Sequence, residues 1–133
     1  LAPALGTPQR AHFYKWLAWL TNTLQATLIV YFYPERWADT PEAMAQVRAH
    51  AESKVAAMLD QLDGELARHG GPWFAGADFS ALDPYVLMLS RWTRGHARPA
   101  RSLPHLGAYL QRMLARPAVQ RVIAREELPP PLV

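Results

Sequence analysis

Residues 76–92 read GADFSALDPYVLMLSRW, and the helix start they encode decides the fold. Ser80 followed three residues later by Asp83, directly before an apolar run, is the capping-box pattern. The Ser80 hydroxyl is expected to accept from the Asp83 backbone N–H, and the Asp83 carboxylate to reach back to the Ser80 N–H. Two orphan donors are then satisfied at once. Phe79 before the cap and Pro84 after it are placed for a hydrophobic staple. The helix that follows runs to about Arg94, with Leu82, Tyr85, Val86, Leu89 and Trp92 on one face and Gly95 behind it. If this turn is buried, truncating the carboxylate strands amides in a dry interior and costs more than the ~1 kcal/mol of an exposed cap. Such boxes occur in many helical proteins, so alone the box speaks for architecture and not for activity.

Upstream, Arg10 to about Phe32 is a long helix whose Phe13, Trp16, Leu17, Leu20, Leu24, Leu28 and Tyr31 recur at helical spacing. Tyr14, Trp19 and Ile29 make a second apolar face, which places this helix centrally or at an interface. After Pro34, Thr40 caps a second helix with Pro41 at its first position. Its stripe is Met44, Val47, Ala51, Val55, Met58, Leu59, Leu62 and Leu66, and Gly70-Gly71-Pro72 stops it. Downstream of the box, Leu106, Tyr109, Leu110, Met113 and Leu114 mark a fourth helix, and Pro117 opens a fifth containing Val119, Val122 and Ile123. Pro129 to Pro131 close the ordered part. No period of two persists over a strand's length, so the expectation is an all-α bundle of about five helices. The division is a linker at 1–9, a helical domain at 10–127 and a Pro-rich tail at 128–133.

The 133 residues, half of them apolar and five of them Trp, are enough for one domain with a real core. Absence of cysteine excludes disulfides, thiolate metal sites and a cysteine nucleophile. The longest apolar run, Leu28 to Tyr33, falls far short of the ~20 residues of a membrane span. Between Arg91 and Arg125 stand eight arginines and no acidic residue, whereas most carboxylates lie between residues 35 and 65. A basic third of this kind suits phosphates or is simply a solvated face; the solvated face is the expectation, and nucleic acid is not an expected partner.

The histidines, His12, His50, His69, His96 and His105, show no ligand spacing, so no metal site is expected, and they read as surface or interface residues. None of the four serines sits in a nucleophile elbow. Asp60 and Asp63 read as carboxylates on a solvated helix face and not as an acid/base pair.

Gly76, Phe79, Ser80, Asp83, Pro84 and Tyr85, preceded by Pro72-Trp73-Phe74 and followed by Arg91-Trp92, resemble the box that opens the sixth helix of glutathione transferases. LPHLGAYLQRMLARPAVQRVI, residues 103–123, is similar to that family's last two helices, and the bacterial beta type is the class the chain looks most like. The resemblance covers one half of the family's architecture, the C-terminal helical domain. It implies a missing N-terminal thioredoxin-like domain that binds glutathione and activates its thiol. LAPALGTPQ would then be a linker cut or processed from a longer protein.

The resemblance further implies a cytoplasmic, dimeric parent that uses glutathione as co-substrate, no other cofactor, and apolar electrophiles as substrates. This half would supply the pocket wall and much of the dimer interface, inactive alone and without catalytic residues of its own. By the same resemblance Trp92 lines the electrophile pocket, with Leu28 and Phe32 corresponding to apolar pocket positions; as residues, Trp92 suits core packing equally well, and for Leu28 and Phe32 core or interface packing is the expectation. Beta-type relatives carry an asparagine and a histidine where Ala18 and Gln25 stand here, a departure that leaves Asn22 and Gln25 as candidates for contacting glutathione or as polar residues facing a groove. That departure also keeps open a rival of another class, a non-catalytic interaction module built on the same helices.

Overall fold

Thr7 opens the first rod: its hydroxyl accepts from the Arg10 N–H at 3.3 Å, and Pro8 occupies the first helical position, where a missing N–H is no loss. In the computed structural model, which describes residues 1–133, this rod comprises α1 (Pro8–Trp19), a π-helical turn (Leu20–Gln25) and α2 (Ala26–Phe32). The junction residues keep right-handed helical dihedrals, so the three pieces form one rod. The π turn is not announced by apolar spacing. Thr21 within it and Thr27 just after it donate their hydroxyls to the Leu17 and Thr23 carbonyls, at 2.9 and 2.8 Å, a back-bonding habit that perturbs the regular ladder.

The second rod, α3 (Pro41–His69), begins and ends as its residues dictate. Thr40 accepts from the Ala43 N–H at 3.2 Å, and Gly70 takes the left-handed conformation (φ 61°) that closes a helix on the Leu66 carbonyl. A tight turn follows in which Trp73 and Gly76 exchange two backbone bonds of 3.0 Å each. Gly71 lies flat on this turn, and a Cβ there would stand 2.6 Å from the Gly76 carbonyl oxygen. The turn directs Phe74 into the core, where it is fully buried.

Three shorter rods complete the bundle: α4 (Leu82–Trp92), α5 (Pro104–Leu114) and α6 (Pro117–Arg125). The architecture is therefore all-α, with five rods and no strand. Phe13, Trp16, Leu20, Leu24 and Leu28 of the first rod meet Val55, Leu59 and Leu62 of α3. Leu82, Val86 and Leu89 of α4 and Leu106, Leu110 and Met113 of α5 close the same core. α6 buries none of its residues and lies on the outside.

The capping turn sits inside this core, with one exchange relative to the expectation. Asp83, fully buried, accepts from the Ser80 N–H at 2.7 Å as expected. The Ser80 hydroxyl, however, accepts from Leu82 N–H at 3.2 Å, and the Asp83 N–H goes to the Ser80 carbonyl at 3.2 Å. A backbone turn at Ala81 brings that carbonyl within reach, which frees the hydroxyl for the preceding amide. Asp83 also accepts from two distant donors, the Phe74 N–H at 2.8 Å and the Tyr109 hydroxyl at 2.9 Å. Burial first, and then the charge and hydrogen bond of Asp83, push the Tyr109 phenol far above its ordinary range, so it stays a donor. One side chain thus ties the Trp73–Gly76 turn, α4 and α5 together.

Asp60 is exposed, as expected of a solvated helix face, yet it and its neighbours on α3 hold partners there. Asp63 accepts from the His105 and Leu106 N–H groups at 2.8 and 2.7 Å and caps α5, which has no side-chain cap of its own. Asp60 takes a two-pronged bond from Arg98 at 2.6 and 2.9 Å, and that bond holds its carboxyl below the usual range. Glu52 accepts from the Ala97 N–H at 2.7 Å. Together they fasten the irregular segment between α4 and α5 along the length of α3.

Candidate functional site

Trp92 ends α4 and Phe32 ends α2, and the fold brings them together. Their rings meet edge to face with centroids 6.2 Å apart. With Ile29, Tyr33 and Arg94 they line an open groove of about 300 Å³. Phe32 is 41% exposed and Trp92 half-buried, so both present ring surface outward. Leu28 is not in this groove: it lies one turn earlier on the inward face of α2, with no exposed surface, and belongs to the core. No histidine or carboxylate lines the groove, and its one charged group is Arg94. The arrangement can hold an apolar or aromatic body beside a positive charge. It offers no acid or base.

Two turns earlier on the same side of α4, the Tyr85 hydroxyl donates to Gln25 Oε1 and to Thr21 Oγ1, the latter at 3.1 Å. The π turn is what presents Thr21 and Gln25 to it. Gln25 is therefore engaged within the chain, whereas Asn22 points to solvent from the outer side of the turn. The stripe reading places Tyr85 among core residues; its half exposure and its polar bond across to the first rod put it at the edge instead. The signal for it was its seven-residue separation from Trp92, two helical turns on one face.

Most of the arginines are committed internally. Arg91 donates to the carbonyls of Pro129, Pro131 and Leu132 at 3.3, 3.2 and 2.8 Å, and Arg101 to that of Val133 at 2.6 Å. The Pro-rich tail is thereby strapped onto the bundle, with Val133 buried, and does not trail from it. Burial and the neighbouring charge of Arg94 pull the Arg91 guanidinium below its usual value. Arg112 donates to the Pro72 carbonyl at 2.9 Å, and Arg116 lies 3.9 Å over the Phe79 ring. Few of these cations are left for a phosphate backbone.

His50 and His105 are exposed, as read, but the other histidines are used as structure. His69 Nδ1 accepts from the Gly71 N–H at 2.8 Å and its Nε2 bonds the Phe74 carbonyl at 3.0 Å, which fixes the turn after α3. His12 bonds Glu65 at 2.9 Å, and Arg68, more than His12, holds that carboxyl below its usual range. His96 departs from the surface reading: it is buried against the Tyr31 ring, its Nε2 has no partner, and burial pulls its pKa down. No cluster of three potential metal ligands converges anywhere.

Residues 20–117 match the sequence profile described as glutathione S-transferase, C-terminal domain. The chain belongs to this family. Glutathione S-transferase GstA of Escherichia coli O157:H7 is 33% identical over 116 residues, covering 86% of this chain and 54% of that protein. The uncharacterized GST-like protein YncG of Escherichia coli K12 is 27% identical over 128 residues, covering 96% and 60%. Among solved structures, a glutathione transferase homologue from Sulfitobacter with bound glutathione superposes with a TM-score of 0.81 at 25% identity, over 94% of this chain and 60% of that one. A glutathione transferase from Methylococcus capsulatus superposes with a TM-score of 0.74 at 30% identity, over 96% and 59%. The chain therefore spans a little over half the length of these relatives. No helix in it is long and apolar enough to cross a membrane.

Proposed function

We propose that this chain is the helical half of a glutathione transferase whose parent joins glutathione to apolar electrophiles. The remaining two-fifths of the length seen in relatives would be a thioredoxin-like domain that binds glutathione and activates its thiol. An ordinary thiol has a pKa of about 8.5, so activation is needed for rapid attack at neutral pH. Phe32 and Trp92 form the apolar wall against which the electrophile rests, with Leu28 supporting that wall from behind. Gln25 and Asn22, on the π turn, face the glutathione side, with Gln25 held in place by Tyr85. The parent is a cytoplasmic homodimer in this reading.

The observation that carries the proposal is the edge-to-face pair of Phe32 and Trp92 in a groove whose one charged group is Arg94. A protein of the same fold holds glutathione, which supports placing the thiol donor next to it. The test compares the 133-residue chain with the longer parent, using glutathione and a chromogenic aryl halide. The chain alone shows no saturable turnover. The parent turns over, and Trp92→Ala in it raises KM for the aryl halide while leaving KM for glutathione in place. A parent that binds neither substrate, yet is pulled down with a protein partner regardless of glutathione, would instead establish the interaction module.

A further inference from the structure

The Phe32–Trp92 groove holds one cation, Arg94, and nothing in the chain answers its charge. Arg94 is exposed, stands two residues past Trp92 at the end of α4, and lines the groove with Ile29, Phe32, Tyr33 and Trp92. One N–H of its guanidinium bonds the Arg91 carbonyl in the last turn of α4 at 3.0 Å; the other donors of that planar fork bond nothing in the chain. Among the cations, the ion pairs of the chain engage only Arg68, Arg98 and His12.

The surroundings concentrate the same sign. Arg91 stands near enough that the Arg94 charge, after burial, helps pull its guanidinium down. Arg101 donates to the Arg94 carbonyl at 3.2 Å. On the side of the groove that follows α2, Arg36 lies 4.6 Å over the Tyr33 ring, and it too is in no ion pair. Glu35, its neighbour in sequence, lines a different concavity together with Arg48. Arginines therefore stand on both sides of an aromatic groove that no carboxylate lines, and the potential there is positive. Its volume of about 300 Å³ is at the small end for ligand sites and suits a compact aromatic body.

We propose that this groove selects an aromatic ligand carrying a carboxylate or sulfonate, with the ring against Phe32 and Trp92 and the anion on Arg94. This rests on the reading above in placing the electrophile here, and it narrows the class from uncharged aryl compounds to aryl anions. A guanidinium meets two oxygens of such an anion with parallel N–H bonds, which a neutral amide of the same shape cannot accept. Ring and charge act together. An exposed ion pair alone gives only a few-fold preference, and an apolar wall alone does not favour a charged compound over its neutral counterpart. Arg94 is thus a specificity-determining residue: it chooses which ring rests on the wall and exchanges no proton in doing so.

Naphthoate and naphthamide of the same substitution, alike in shape and different in charge, are the probes. Calorimetric titration of the parent and of the 133-residue chain gives their affinities, and displacement of the Trp92 indole N–H resonance, identified by its loss in Trp92→Phe, gives their location. Naphthoate binds roughly three- to fivefold more tightly at low salt, and the preference shrinks at high salt. Arg94→Gln, at an exposed position, leaves the helical signal unchanged and brings the two ligands level by weakening naphthoate alone. Phe32→Ala weakens both alike and keeps their ratio. Equal affinities in the unaltered protein, a preference that survives Arg94→Gln, or no displacement of the Trp92 resonance by either ligand would overturn the proposal. So would a preference that vanishes once the parent is saturated with glutathione, since the anion on Arg94 is then a carboxylate of glutathione itself. None of these readouts uses turnover. A parent that keeps the preference but conjugates nothing sinks the functional reading alone, and one that conjugates while treating both probes alike sinks this inference alone.

Discussion

Asp83→Ala is the sharpest perturbation available, because its cost can be worked from three counted donors. Asp83 has no exposed surface, and its carboxylate is the acceptor for the Ser80 and Phe74 amides and the Tyr109 hydroxyl at 2.7, 2.8 and 2.9 Å. Removing it leaves three buried donors, at about 1–3 kcal/mol each when fully stranded. The Tyr109 hydroxyl keeps a second contact, to the Asp83 carbonyl at 3.3 Å, which reduces its share. Some relaxation of the turn is also expected, so the net loss is ~3–5 kcal/mol, against a total stability of about 5–15 kcal/mol for a domain. At roughly 3–5 °C per kcal/mol for this size, the midpoint falls by about 10–25 °C. The control is Thr40→Ala, the exposed cap of α3, which loses ~1 kcal/mol. Thermal and urea unfolding by circular dichroism measure both. If Asp83→Ala costs no more than Thr40→Ala, the buried-clasp argument is wrong, because the stranded amides must then have found water.

Tyr109→Phe tests the same network from its other end. Its phenol is held far above the ordinary 10.0, so the folded state keeps a proton that the unfolded state releases; stability is intact below about pH 10 and declines above it, and the variant flattens that alkaline decline. His96 acts at the opposite end of the scale. Burial holds its pKa below the ordinary 6.5, so its contribution is present above that value and is lost as the pH falls through the folded pKa; His96→Phe makes acid unfolding curves shallower from pH 6.5 downward. Two glycines should separate in sign under calorimetry. Gly71→Ala drives a Cβ into the Gly76 backbone and costs about 1–3 kcal/mol, whereas Gly64→Ala, in open space on α3, adds ~0.5–1 kcal/mol.

Local signals carried most of the fold. Thr40-Pro41, Gly70 and Pro117 act within their own turn, and the apolar spacing of Phe13 to Leu28 already selects one face, so these elements are legible without coordinates. The Ser80–Asp83 reciprocity was legible for the same reason. Its two remaining donors, Phe74 and Tyr109, lie nine and 26 residues away, and nothing in a three-residue motif specifies them. Asp60 and Asp63 look like ordinary surface carboxylates because the groups they bind stand 38 to 43 residues further on. The candidate site was half legible. Trp92 and Phe32 each sit at a helix end, where apolar residues can face outward, but Leu28 stands one turn before Phe32 on nearly the same face of α2, so spacing alone does not show that the first is covered and the second is not.

The dependence of α5 on Asp63 bears on the order in which this chain acquires its shape. An eleven-residue helix is below the length that holds together in water unaided, and the acceptor that closes its first turn belongs to α3. Nucleation of α5 is therefore a docking event: the long rod has to exist before the shorter one can be templated on it. Kinetically, Asp63→Ala should slow refolding if that docking precedes the rate-limiting barrier, and should speed unfolding alone if it follows.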